Sequence, residues 1–276
     1  GDKGAALGNS AGAISKASAN SVMIGYQAGY HPTGNHNTWV GYKAGYGVLD
    51  QGANNNVGIG GEALMNITTG LGNVAIGYQT GYNITDGGKN IIIGESAAGS
   101  ITGGDQNIVM GYQAGHNLTT SNNNIFIGKQ AGRTAATSSY HNTFMGISAG
   151  YGSTTSGNVY IGSEAGYTGG GHDNVIVGFK AGYDITDGTQ DVVIGMNAGQ
   201  NLTTASNAVI IGYKAAYDAT TADTFVAIGN EALGNLTTGT KNLAIGDNCL
   251  GSTTIGNWNT AVGRRAMYTN VSGDYN

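Results

Sequence analysis

The chain has 276 residues, 51 of them Gly and one Pro, with 10% charged residues and a formal net charge of −5. Glycine at this level without proline excludes collagen, and 39% hydrophobic content with few charges is the reverse of a disordered composition. The 11 Lys and Arg are scattered, so there is no basic footprint for a nucleic acid, and no apolar run reaches the length of a membrane-spanning helix.

Taken in chain order, the predicted elements are short β-branched runs, each closed by a glycine. The first precede Gly8, Gly25 and Gly41, as in "NSVMIGYQAGY" (residues 20–30). A 19-residue interval carrying "GVLDQGANN" (47–55) leads to Gly60. Regular 17-residue spacing then runs to Gly128 through "NVAIGYQTGY", "NIIIGESAAG", "NIVMGYQAGH" and "NIFIGKQAGR". An 18-residue interval carrying "TAATSSYHN" (134–142) ends at Gly146, and two 16-residue intervals reach Gly178. From there the spacing is 17 as far as Gly263. Sixteen copies therefore fill residues 1–276 as a single repeat array, with no second domain.

With the marked glycine as position 0, position −1 is always Leu, Ile, Val or Met, and +3 is Ala in fourteen copies, with Thr80 and Cys249 the exceptions. Position +4 is Gly in ten copies, and +7 is often Ile or Leu, as at Ile67, Ile84 and Leu118. A unit this short cannot be a helical hairpin. The run between Asn and Gly predicts a three-residue strand, and the glycines predict corners of positive φ or close backbone approach. Each copy thus forms one coil of an all-β parallel β-solenoid, or β-roll, whose backbone groups pair between coils.

Alternation puts −3 and −1 on one strand face and −2 on the other. A monomeric coil is expected to turn −3 and −1 inward and leave −2 polar. Position −2 is instead apolar in fifteen of sixteen copies, among them Met23, Trp39, Phe126 and Tyr160. At ~4.7–4.9 Å per coil, such a stripe extends roughly 70 Å, more than a monomer leaves wet. Other copies of the chain are expected to cover it, which predicts a fibrous oligomer.

The motifs "NSVMIGYQAGY" and "NAVIIGYKAAY" (207–217) resemble the repeats of trimeric autotransporter adhesin heads, the YadA-like left-handed β-roll. The longer "NIVMGYQAGHNLTTSNNNIFIGKQAG" is closer to repeat arrays of bacteriophage tail fibres. Most copies lack the Ser of Asn-Ser-Val, and the period is longer than in adhesin heads, which favours the phage type. The resemblance implies a homotrimer, intertwined or side by side, in a non-enzymatic fibre of a virion tail or extracellular surface. Such a fibre reaches or adheres to a host-surface glycan or protein receptor. An adhesin head that itself binds a glycan or matrix ligand is the alternative. Repeats begin almost at Gly1 and run to within a coil of Asn276 without evident caps, so a longer fibre is expected.

No catalytic, cofactor-binding or metal-ligating set emerges, no cofactor is implied, and the receptor-binding residues stay unassigned. "GIGGEA" (58–63) matches a dinucleotide fingerprint but has no helix or α/β alternation around it. Cys249 takes the place of a small packing Ala, and a lone cysteine excludes an internal disulfide. Asn66, Asn83, Asn117, Asn201 and Asn235 head sequons at one phase, which predicts a left-handed corner residue rather than glycosylation; Asn270 heads a sixth. His31, His36, His116, His141 and His172 read as loop residues, and Asp86 and Asp187 as turn residues too sparse for a calcium repeat. Tyr recurs at +1 (Tyr26, Tyr42, Tyr78, Tyr112, Tyr213) and at +5 (Tyr30, Tyr46, Tyr82, Tyr151, Tyr167, Tyr183, Tyr217, Tyr268). Stacked ladders are the structural reading of that pattern, and a carbohydrate face the functional one. The Thr-Thr pairs are too interrupted for an ice-binding array, and no coil carries the carboxylate pair of a glycosidase.

Overall fold

The computed structural model describes residues 4–13, 19–31, 34–49, 52–135 and 139–276. The chain divides into two compact units, Gly1–His141 and Asn142–Asn276. The first holds eight strands, from β1 (Ala5–Leu7) to β8 (Ile125–Ile127), and the second another eight, from β9 (Thr143–Met145) to β16 (Thr260–Val262). Every strand is three residues long, and no helix occurs among the described residues. Residues 50–51 and 136–138, parts of the two long intervals, lie outside the described set.

Within each unit a strand pairs in parallel with its equivalent in the next coil, so columns stack on themselves: Ile91 on Ile108, Val109 on Phe126, Tyr160 on Ile176. The turns follow the same rule. Gln113 N donates to Glu95 O at 3.0 Å, and Gly115 N to Ala131 O at 2.9 Å. Among the described residues the strands and most turn N–H groups are thus satisfied between coils. Positions +3 and +7 bond within their own coil, as Ala114 N to Gly111 O and Leu118 N to Gly115 O. The protein is an all-β parallel β-solenoid of about 17 residues per turn.

The corners use four positive-φ sites per coil, at −5, 0, +2 and +4, with −5 left-handed in residues such as Gln106 (58°). All sixteen marked glycines have φ between 123° and 142°, a region open to glycine alone. Position +2 is left-handed in residues such as Gln113 (52°), and +4 is left-handed whether it is Gly, Ala or Leu, as in Gly115, Ala98 and Leu64. The sequon asparagines at +6 are not among the positive-φ residues, which corrects that expectation. They instead bridge coils: Asn66 Nδ2 donates to Asn83 Oδ1 at 3.0 Å, and Asn83 Nδ2 to Gly99 O at 2.9 Å.

The inside and outside of the coil are the reverse of the sequence expectation. Position −2 is buried in every strand from β2 (Val22–Ile24) to β16, and −3 and −1 are half-buried or exposed. Met23, Trp39, Phe126, Phe144 and Tyr160 fill the coil interior together with +3 Ala and +7 Ile or Leu.

In several coils core volume is exchanged between −2 and +4. Where −2 is aromatic, +4 is Gly, because a Cβ there would strike the ring: 2.2 Å for Gly45 against Trp39, 2.6 Å for Gly132 against Phe126. Where −2 is Gly58, Ala227 or Ala244, +4 is Leu64, Leu233 or Leu250, each fully buried. Phe126→Ala is expected to cost about 3–5 kcal/mol through the cavity it leaves. Adding Gly132→Leu should recover part of that loss, because the left-handed backbone there already carries Leu in three other coils. Thermal unfolding of the two single variants and the double variant checks the coupling; strictly additive losses would sink the compensation argument.

A second internal column is polar. Asparagines at −4 are buried from Asn37 to Asn174, with Asn242 and Asn259 further on. Each side chain repeats one pattern. Asn107 Oδ1 accepts from the backbone N and the Nδ2 of Asn124, both at 3.0 Å, and Asn107 Nδ2 donates to Ser121 O at 2.8 Å. An amide has both a donor and an acceptor to give, which is why the column is Asn.

Candidate functional site

Two surface features stand out from the repeating frame. The first is an apolar ribbon on the outer strand face. Position +1, two residues on from −1, is exposed beside −3 and −1 in several coils. Val22, Ile24 and Tyr26 are exposed together in one coil, and Ile76 and Tyr78 in another. The second unit exposes the same columns at Met145 and Ile147, at Val175 and Phe179, and at Ile194 and Met196. Ile147 is 55% exposed and Tyr78 53%. At +1 the column is interrupted by Asn9, Glu95, Lys129 and Ser163 and is polar in the last three coils, at Asn230, Asp247 and Arg264.

The second feature is the +5 column. Tyr30 stacks on Tyr46 at 5.3 Å, and Tyr151, Tyr167 and Tyr183 stack at 5.0 and 4.9 Å with planes within 7°. The coil spacing therefore sets a ring-stacking distance. Lysines at +2 lie over the rings on either side: Lys43 over Tyr42 and Tyr46, and Lys214 at 5.5 Å from the Tyr213 centroid and 5.4 Å from that of Tyr217.

The +5 ladder has gaps. At Gly234 and Gly251 two successive coils lack a side chain, which opens a recess of about 240 Å³ between Tyr217 and Tyr268. At Gly99 one coil does so, next to Tyr82 and His116, and the recess encloses about 340 Å³. There the imidazole leans over the glycine, 3.0 Å from where a Cβ would stand, with Nδ1 3.0 Å from Ser96 O. Pairing by +5 tyrosines was legible from the period; the gaps needed the geometry.

Other residues marked by the sequence fall into structural places. Cys249 is fully buried, its thiol donates to Ala261 O at 3.2 Å, and burial raises its pKa. "GIGGEA" forms β4 (Val57–Ile59) and the turn after it. Among the described residues, no group of three or more His, Cys, Asp or Glu is placed to hold a metal ion. His36 lies 3.3 Å from Asn20, and exposed His172 sits 3.6 Å from Asp173. His31 packs edge-on against Tyr30 and Tyr46, and His141 takes a left-handed corner. Asp86 accepts from the Thr85 hydroxyl at 2.9 Å. The first Thr of several pairs donates to the next coil, as from Thr203 to Thr220 O at 2.8 Å and from Thr237 to Thr254 O at 2.9 Å.

Sequence reasoning missed Asp191. It occupies the buried Asn column; its Oδ1 accepts from Ala208 N at 2.8 Å, and its Oδ2 has no partner. Burial pushes its pKa up to about 7.

The fold defines a parallel β-solenoid repeat protein. No family model, curated protein or solved structure matches the chain.

Proposed function

We propose that this chain is a structural segment of a homotrimeric fibre, of the phage tail-fibre type or of a comparable cell-surface appendage, and that it contributes to host attachment without catalysing a reaction. The observation that carries this reading is the outward ribbon of −3, −1 and +1 side chains. Full burial of such a side chain stabilises by about 1.5–3 kcal/mol, so covering the partly exposed columns of many coils favours association strongly. A regular, self-similar face is best matched by itself, which favours copies of the same chain over an unrelated partner. Three copies rather than two follow from the resemblance of the repeats to trimeric fibres.

Sedimentation equilibrium tests it: the expected mass is three times 27.8 kDa. Ile76→Asp with Met110→Asp, both outward at −1, should shift that mass towards the single chain while leaving the β spectrum intact. A wild-type chain that sediments alone at micromolar concentration overturns the reading. The adhesin-head alternative gains from one observation, the aromatic-flanked recess at Gly234.

A further inference from the structure

We propose that the recess at Gly234 is a binding site for a neutral hexose or N-acetylhexosamine unit of a surface polysaccharide. The inference does not depend on the subunit number of the fibre.

Eight coils carry a tyrosine at +5, and where these are consecutive the rings stack about one coil apart. Gly234 is a layer with the ring removed. On one side stands Tyr217; on the other, Tyr268 leans back over Gly251, its Cε2 2.9 Å from where a Cβ of that glycine would be. Nothing comparable fills the Gly234 layer, where the nearest atoms to a Cβ belong to the backbone and Cβ of Glu231. The opening is therefore an aromatic-flanked slot whose layer spacing suits a flat six-membered ring. The negative face of a tyrosine attracts the polarised C–H bonds of a pyranose, as it does aromatic edges.

The remaining walls choose between ring chemistries. Asp218 and Glu231 bring carboxylates, and Asn235 and Asn248 bring amides. Asn235 Nδ2 is committed to Gly251 O at 2.6 Å, and Asp218 accepts from Asn201 at 3.1 Å. A wall this rich in acceptors matches a ligand with several hydroxyl donors rather than an apolar ring. Two carboxylates against the single Lys214 ammonium disfavour uronic or sialic acids. The recess at Gly99 lacks these carboxylates, and His116 occupies its open layer.

The test is saturation-transfer NMR on the whole chain with the methyl β-glycosides of glucose, galactose and N-acetylglucosamine at millimolar concentration, and with p-cresol as an aromatic control. Transfer to the ring C–H protons of at least one glycoside is expected, with dissociation on the order of millimolar for so small a ligand. Gly234→Tyr rebuilds the ladder residue found in neighbouring coils, at a glycine without positive φ, and should abolish the transfer. Tyr217→Ala, at a half-buried ring, should reduce it at least fivefold and serves if the first variant fails to fold. The proposal is overturned if no glycoside shows transfer, if p-cresol alone does, or if a folded Gly234→Tyr or Tyr217→Ala retains the wild-type signal. Sedimentation of the same samples separates this outcome from the fibre reading, because Gly234 lies off the apolar ribbon.

Discussion

Gly111→Ala should destabilise the first unit by about 2–6 kcal/mol, a large effect for a single methyl group. Two independent penalties combine. The φ of 135° costs a residue with a Cβ about 1–3 kcal/mol. The added carbon would stand 2.5 Å from Gly128 O in the next coil, and relieving that contact means opening the parallel pairing between β7 (Ile108–Met110) and β8. Overpacking of this kind costs a further ~1–3 kcal/mol. Gly263→Ala separates the two contributions. Its φ is 123° but its Cβ meets nothing within 4 Å, so only the conformational cost applies. Thermal melts followed by circular dichroism should show a large fall in midpoint for the first variant and a small one for the second. Equal shifts would mean that backbone conformation alone fixes the glycine column.

The period, the strands and the glycine corners were legible in the sequence because stacking forces like onto like, and each column therefore repeats. Which face pointed inward was not. With three-residue strands and apolar residues at −3, −2 and −1 alike, alternation separates the columns into two faces without orienting them. The deciding signals were in the sequence but lay off the strand. Trp39 with Gly45, and Gly58 with Leu64, exchange bulk between −2 and +4, which only residues sharing one interior would do. The asparagines at −4 share the parity of −2, and a buried amide ladder needs the neighbouring coil's backbone on the inner face. Reversing the faces keeps the argument for a partner and changes its content: the side chains left wet are Ile24, Ile76 and Tyr78 rather than Trp39 and Phe126. The recess at Gly234 was invisible for another reason. A missing ring in a ladder is a site only when its neighbours' lean is known, and Tyr268 leans over Gly251 while leaving Gly234 open.

Asp191→Asn is expected to stabilise the second unit by about 2–4 kcal/mol near pH 8 and to change it little near pH 4.5. Where −4 is Asn, the side chain accepts through Oδ1 and donates through Nδ2, as Asn174 Oδ1 accepts from Asp191 N at 2.9 Å and Asn174 Nδ2 donates to Gly188 O at 2.8 Å. A carboxylate at 191 keeps the acceptor half, taking the Ala208 N–H, but has nothing to donate. Its unpartnered Oδ2 instead shares the space beside Gly188 with Ala205 O, the carbonyl that the amide would have met. Burial, with the Asp223 carboxylate adding repulsion, raises its pKa to about 7 from an ordinary 3.8. Nearby Tyr160 is itself held protonated by burial. The sign follows from proton linkage. Between about pH 4 and 7 the folded chain holds a proton that the unfolded chain has released, so stability is greatest at the acid end and falls until the folded group ionises. Three pH units at ~1.4 kcal/mol each set an upper limit of about 4 kcal/mol. Protonated Asp191 offers an O–H where its neighbours offer an N–H, which is why Asn and Asp should be nearly equivalent in acid. Thermal midpoints of both proteins across this range would show the curves converging at low pH and separating as pH rises. A gap independent of pH would mean that Asp191 stays ionised in the core and finds a donor there.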